Sequence, residues 1–193
     1  MLRAGIAFSC LVTSVGCMGA EAQVPNPAEQ IAQAQVAAPT DKAEAATIMG
    51  YADDGSVVEI RAGSNDLICL ADNPADERFS ASCYHESLEP YFARGRSLNA
   101  EGSPREDRYR IRFEEMSSGD LASPVMSATQ YIFDGQWDGE SQTADGTVRW
   151  VIYVPGATAE STGLSQQPQE GGPWIMFPGT PGAHIMIVPP GDQ

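Results

Sequence analysis

The sequence predicts an α+β fold: one domain with a mainly antiparallel sheet, in which a helical segment lies between an N-terminal hairpin and four C-terminal strands. Hydrophobic residues alternate near both ends of the domain and follow a helical period in its middle. Strands and helices thus come in separate runs, which is typical of α+β proteins. The length of 193 residues and the hydrophobic content of 42% suit a single core.

Residues 1–22 have the features of a signal peptide. Arg3 supplies a positive charge, an apolar stretch covers residues 6–15, and Ala-Glu-Ala at 20–22 forms a small-x-small cleavage site. No other segment approaches the roughly 20 apolar residues that a membrane helix needs, so we expect no transmembrane segment. The sequence therefore predicts a periplasmic or secreted protein.

The tetrapeptide Ser-Val-Gly-Cys that ends at Cys17 partly resembles the lipobox at which bacterial lipoproteins are cleaved and acylated. It departs from that motif at Ser14, where leucine is usual. Simple secretion is therefore the preferred interpretation, and a lipid anchor at Cys17 is the alternative.

Residues 23–46 are rich in alanine, glutamine and proline, and they predict a helix or linker ahead of the α+β domain at residues 47–190. Asn26 is a suitable N-cap, and Pro27 suits the first helical position. Because Pro39 ends the run, we expect a short helix at the edge of the domain.

The N-terminal hairpin is predicted from residues 47–63, where two β-rich runs are separated by Asp-Asp-Gly-Ser. Asp54 and Gly55 favour the positive φ angles of a tight hairpin turn. The short apolar run at 66–72 continues the sheet.

Two helices are predicted next. Between residues 84 and 99 the apolar side chains follow a helical period, and Pro90 marks a kink or a fresh start. The sequence Ser-Pro-Arg-Glu at 103–106 resembles a capping box, with proline at the first helical position. Gly119 is a natural end for this second helix.

Four β-like runs follow Ser127, separated by glycine-rich or polar connections: SATQYIFDG, TVRWVIYVPG, GPWIMFPG and GAHIMIVPP. Asp145 and Gly146 predict a tight turn just before the second run. These are the four C-terminal strands of the predicted sheet.

Cys69 and Cys83 are the two cysteines that remain once a signal peptide is removed. An even pair in an exported chain predicts one disulfide, which closes a loop of about 15 residues and contributes about 3 kcal/mol. No free thiol then remains for nucleophilic catalysis.

The formal net charge of −15 argues against several partners. A surface with this negative charge repels phosphate backbones and anionic lipids. We therefore expect no nucleic-acid binding. A neutral, cationic or metallic partner fits the overall charge better. The sequence identifies no cofactor and no particular protein or small-molecule partner.

The motifs of several enzyme classes are missing. Lys42 is the only lysine, so the domain has no Schiff-base lysine, phosphate-loop lysine or Ser-x-x-Lys dyad. The sequence also lacks a G-x-S-x-G elbow and a G-x-G-x-x-G loop. We therefore predict no catalytic residue and keep a hydrolase of unknown substrate as a minor alternative.

A band of six arginines runs from Arg94 to Arg112 and raises the question of an anion-binding face. Acidic residues interleave with these arginines: Glu101, Glu106, Asp107, Glu114 and Glu115. A solvated, ion-paired helix surface is therefore the preferred interpretation.

His184 lies among apolar residues of the last strand and is the main candidate for a site. Met176, Met186 and Trp174 lie near it in the sequence, and thioether with imidazole suits Cu(I). Strand alternation places His184 and Met186 on one face, so both can line a pocket. We interpret His184 first as a core or pocket-wall residue, and second as a ligand- or metal-binding residue together with Trp174, Met176 and Met186.

The C-terminal run at residues 156–187 resembles the closing segment of a family of uncharacterised exported bacterial proteins. The shared motifs are Gly-Leu-Ser at 163–165, Pro-x-x-Met at 173–176, Gly-Thr at 179–180 and Ala-His-x-Met at 183–186. The family has no assigned activity, so the resemblance implies export and this order of elements but no mechanism. Gly182 stands where the family has bulky aromatic residues, which predicts extra room beside His184.

These features together predict an exported bacterial protein that serves as a binding or structural module of the cell envelope. The first alternative is a metal- or small-ligand-binding protein that uses His184. The second alternative is a hydrolase.

Overall fold

The computed structural model describes residues 23–169 and 171–189. The predicted signal peptide, with Cys17, lies outside the described residues. Within them the chain forms a single sheet of eight strands, accompanied by five α-helices. None of these helices is long and apolar enough to cross a membrane. The predicted α+β class is confirmed.

The helices are α1 Pro27–Gln35, α2 Thr40–Glu44, α3 Glu89–Ala100, α4 Arg105–Ser118 and α5 Ala159–Thr162. The strands are β1 Thr47–Tyr51, β2 Val57–Arg61, β3 Leu67–Leu70, β4 Phe79–His85, β5 Ala128–Asp138, β6 Thr143–Tyr153, β7 Pro173–Met176 and β8 His184–Ile187. Their order across the sheet is β2-β1-β3-β4-β5-β6-β8-β7. All neighbours are antiparallel except β1 and β3, so the mainly antiparallel sheet is confirmed.

α1 is capped as predicted and packs on the sheet. The side chain of Asn26 accepts hydrogen bonds from the backbone N–H groups of Ala28 and Glu29. Gln30 is only 3% exposed. Its amide nitrogen donates to the carbonyl of Tyr51 at 3.0 Å, and its amide oxygen accepts from the N–H of Tyr51 at 2.6 Å. These bonds tie α1 to the end of β1.

β4 is the strand that the sequence patterns missed. The helical period predicted from Tyr84 onward starts too early, because Phe79–His85 is a strand and Glu86–Leu88 is a 3₁₀ turn. α3 begins after this turn, with Pro90 in its first turn, where no hydrogen-bond donor is needed. Tyr84 at the end of β4 and Leu88 in the 3₁₀ turn are buried in the same core. Their spacing of four residues therefore looks helical, although they belong to different elements.

The turn predicted at Asp145 and Gly146 is wrong. Both residues lie inside β6, and the chain reverses at residues 139–142 instead. Gly146 is the cross-strand partner of Gly135 on β5. A Cβ at either glycine would collide with the opposite backbone, so these glycines permit close strand pairing rather than a turn.

α3 and α4 form a helical hairpin between β4 and β5. Pro104 occupies the N-cap of α4, and no side chain caps this end, so the predicted capping box does not form. Gly119 ends α4 with a φ of 86°, as predicted. An ion pair of 2.8 Å between Arg94 and Glu115 joins the two helices.

The core has two parts, one on each face of the sheet. α1 covers the face of β1, β3 and β4, and the buried residues there are Ala34, Ala37, Ala46, Ile48, Leu67, Cys69, Ala71, Ala81, Cys83 and Phe133. α3 and α4 cover the other face, and the buried residues there are Tyr84, Leu88, Tyr91, Met116, Ala128, Val151, Tyr153, Trp174 and Met186. The helical hairpin therefore places α4 above the strands that carry His184 and both candidate methionines.

Cys69 and Cys83 lie directly opposite each other on β3 and β4. Their Cα atoms are 3.9 Å apart, and their sulfur atoms lie at bonding distance. Both residues are fully buried under α1. The pair is thus placed to form the predicted disulfide.

Candidate functional site

α4 presents one row of side chains towards the sheet. Arg105, Tyr109, Arg112 and Met116 recur every three or four residues, so they share one face of the helix. Arg112 and Met116 are 7% and 6% exposed, respectively. A cavity lies between this row, α3 and the sheet, and we call it the arginine cleft.

The arginine cleft consists of two adjoining chambers that share Phe92, Arg105, Tyr109 and Arg112 as lining residues. The Arg96 chamber, of about 450 Å³, lies over β1, β3 and β4. The His184 chamber, of about 290 Å³, lies over β5, β6, β7 and β8. Arg112 therefore stands at the junction of the two chambers.

Both helices of the hairpin hold the guanidinium of Arg112. Its Nε donates to the carbonyl of Arg108 at 2.9 Å, and its Nη1 donates to the carbonyl of Tyr91 at 3.2 Å. The guanidinium carbon lies 3.9 Å from the ring centre of Tyr91 and 5.2 Å from that of Tyr109, which are cation–π contacts. Gly95 permits this approach, because a Cβ there would lie 2.8 Å from Nη1.

No described carboxylate forms an ion pair with Arg112, and its Nη2 donates to no described residue. Nη2 is not one of the fully buried unpartnered atoms of the described residues, so it reaches the space of the cleft, where an anion can accept a hydrogen bond from it. Three other arginines of the band do have acidic partners: Arg94 with Glu115, Arg96 with Glu89 and Arg110 with Glu114. The ion-paired interpretation fits these three arginines and is wrong for Arg112.

The His184 chamber is locally cationic. Its described lining residues include Arg105, Arg112 and Arg149 but no carboxylate. Arg149 pairs with Asp134, which does not line the chamber. Charges on the outer surface are screened over a Debye length of about 8–10 Å, whereas a buried guanidinium acts at contact distance. The chamber can therefore attract a small anion although the whole chain is strongly acidic.

His184 supplies a hydrogen-bond acceptor to this chamber. Its Nδ1 lies 2.8 Å from the carbonyl oxygen of Gly182. A carbonyl only accepts, so Nδ1 carries the proton and Nε2 of the neutral ring is an acceptor. Burial lowers the pKa of His184 below its ordinary value, and the bond to Gly182 opposes this effect. Nε2 has no hydrogen-bond partner among the described residues.

Three of the four residues predicted as a ligand site come together in the cleft. Met176 is the cross-strand partner of His184, Met186 follows on the same face of β8, and all three line the His184 chamber. Trp174 is 8% exposed and packs in the core beside Met186 instead. The described part of the chain contains no group of three His, Cys, Asp or Glu side chains that could hold a metal ion. Metal binding by His184 and the methionines stays a prediction.

Gly182 does not leave extra room beside His184. The ring of Phe113 on α4 occupies the position where a Cβ of residue 182 would stand. Phe113 also contacts Phe177, with ring centres 5.3 Å apart. Gly182 thus lets α4 pack closely against the chain just before β8. α4 forms one wall of the cleft.

No protein-family model, curated protein or solved structure matches this chain. The site residues that the sequence patterns missed are Arg105, Tyr109 and Arg112. A signal for them was present, because these residues share one helical face with the apolar Met116. An arginine between two apolar positions of the same face is unusual for a solvated surface.

Proposed function

We propose that this protein binds a small organic anion in the arginine cleft. The observation that carries the proposal is the buried guanidinium of Arg112, which has no carboxylate partner among the described residues. A carboxylate or phosphate of the ligand would supply the missing counter-charge and accept a hydrogen bond from Nη2. Charge-assisted bonds of this kind are roughly twice as strong as neutral ones.

The chamber suits binding better than hydrolysis. No serine, threonine or cysteine is present among the described residues that line the His184 chamber, so His184 has no nucleophile of these three types to activate there. The size of the chamber, about 290 Å³, restricts the ligand to a small molecule. The net charge of −15 disfavours nucleic acids and other polyanions, because they would cover the acidic outer surface.

Replacing Arg112 with methionine tests this function. We expect R112M to weaken the binding of benzoate or inorganic phosphate about tenfold or more, as for the loss of about 1.5–3 kcal/mol from a hydrogen bond to a charged group. Isothermal titration calorimetry gives the affinity. The melting temperature of R112M should fall by a few degrees, because the carbonyls of Arg108 and Tyr91 each lose a donor; the titration is therefore run well below that temperature, on protein shown to be folded by circular dichroism.

R110M is the matched control. Arg110 lies on the same helix, is exposed and pairs with Asp107 and Glu114 outside the cleft. We expect R110M to bind both anions as the wild type does. The proposal fails if the wild-type protein binds neither anion, or if R112M and R110M lose affinity equally.

We further propose that the protein is exported from a bacterial cell and acts as a binding module of the cell envelope. The features of residues 1–22, the placement of the Cys69 and Cys83 pair, and the resemblance to an exported family support this location. Mass spectrometry of the mature protein is expected to find an N-terminus at Gln23. An acylated N-terminus at Cys17 would indicate a lipid anchor, and an uncleaved chain would contradict export.

A further inference from the structure

We propose that the anion bound in the arginine cleft is a hydroxylated aromatic acid, whose acidic group pairs with Arg112 and whose hydroxyl group donates to Nε2 of His184. This inference rests on the proposed function and names the ligand class. Besides Arg112, it depends on two described features of the His184 chamber: its aromatic wall and its free acceptor atom.

Aromatic rings surround the His184 chamber. The ring centres of Tyr109 and Phe177 are 4.8 Å apart, and those of Phe177 and His184 are 5.6 Å apart. The ring of Tyr153 lies 5.1 Å from His184 and 6.0 Å from Tyr91. These side chains offer both ring faces and ring edges, which favour a planar aromatic guest over an aliphatic one.

Phe177 takes its place in this wall at a conformational cost. Its φ is 50°, in the left-handed region that bulky residues rarely adopt. Strain of this kind persists where surrounding contacts fix it, and here Phe177 packs against Tyr109, Phe113 and His184. The wall is therefore built into the fold, and the volume of about 290 Å³ suits a single-ring molecule.

The free acceptor of His184 selects a donor on the ligand. His184 is 7% exposed, and its Nε2 has no described partner. The hydroxyl of Tyr153 donates to Gln130 at 3.4 Å rather than to His184. A ligand without a donor would leave Nε2 buried and unsatisfied, whereas a ligand hydroxyl would satisfy it. A carboxylate at this position would face the lone pair of Nε2, so the acidic group belongs at the arginine end.

Two aromatic rings lie between Arg112 and His184 in the chamber wall. The guanidinium carbon of Arg112 lies 3.9 Å from the ring centre of Tyr91, and that ring centre lies 6.0 Å from the ring centre of Tyr153. The ring centre of Tyr153 in turn lies 5.1 Å from that of His184. An acidic group at Arg112 and a hydroxyl group at His184 therefore belong to different positions of the ligand, as they do on a hydroxylated aromatic ring.

Calorimetric titration with four probes tests the inference: benzoate, 3-hydroxybenzoate, 4-hydroxybenzoate and cyclohexanecarboxylate. We expect at least one hydroxybenzoate to bind wild-type protein about tenfold more tightly than benzoate, as for one buried hydrogen bond. Cyclohexanecarboxylate should bind about fivefold more weakly than benzoate, because it lacks an aromatic ring.

His184→Phe isolates the hydrogen bond, because it keeps an aromatic ring and removes the acceptor. We expect H184F to bind benzoate within about twofold of the wild type and to lose the preference for the hydroxylated acid. The wild-type comparison decides the question even if H184F fails to fold.

The inference is overturned if neither hydroxybenzoate binds wild-type protein more tightly than benzoate does, or if folded H184F keeps the preference. Either result leaves anion binding at Arg112 intact, provided that benzoate binds. If none of the four acids binds, the proposed function itself fails together with the inference.

Discussion

Removing the cross-link between Cys69 and Cys83 is expected to lower the free energy of unfolding by about 3 kcal/mol. The two residues are 14 positions apart, and their bond would close a loop between two neighbouring strands of the sheet centre. The bond limits the conformations of the unfolded chain, so its loss favours unfolding. Urea denaturation of C69A/C83A and of oxidised wild-type protein measures the difference.

Reduced wild-type protein is the control for this experiment, because it keeps both sulfur atoms in the core and loses only the bond. We expect it to be destabilised about as much as C69A/C83A, and any remaining difference reports the packing of the sulfur atoms. Equal denaturation midpoints for oxidised and reduced wild-type protein would show that no stabilising disulfide forms.

Gly182→Val is expected to lower the free energy of unfolding by about 3 kcal/mol, at the upper end of the cost of overpacking a core. The new side chain would collide with the ring of Phe113, so α4 would have to move away from β8. The melting temperature should fall by roughly 6–12 °C for a chain of this size. Thermal denaturation followed by circular dichroism measures the change.

Gly172→Val is the matched control for this substitution. The nearest side-chain atom to a Cβ at Gly172 is the Cβ of Gln169 at 3.4 Å, which is an ordinary contact. We expect a much smaller effect there. In addition, the loss caused by Gly182→Val combined with Phe113→Ala should be less than the sum of the two single losses, because these side chains share one space. A Gly182→Val protein as stable as the wild type would disprove this packing.

The candidate site could be predicted only in part. His184, Met176 and Met186 were identifiable because alternation and pairing of the last two strands are local features of the sequence. Arg112 was misinterpreted because every acidic residue near it in the sequence was a possible partner. In the structure Glu115 pairs with Arg94, and Glu114 pairs with Arg110. Which arginine has an acidic partner therefore depends on which face of α4 meets the sheet.

The sequence by itself determined the α+β class, the β1–β2 hairpin with Gly55 at a φ of 78°, the end of α4 at Gly119 and the four C-terminal runs. The positive φ predicted for Asp54 is wrong, because only Gly55 has a positive φ in this turn. These features depend on backbone preferences and side-chain periods within a few residues, which act before any tertiary contact forms. They are therefore readable in a single chain.

Only the tertiary structure decided that residues 79–85 form a strand, that Gly146 faces another glycine, and that Arg112 is buried without a carboxylate partner among the described residues. It also decided that Arg112 and His184, 72 positions apart in the chain, line one chamber. The physical reason is that local periodicity predicts on which face of a helix a side chain lies. The packing of α4 against β6, β7 and β8 determines which residues that face contacts.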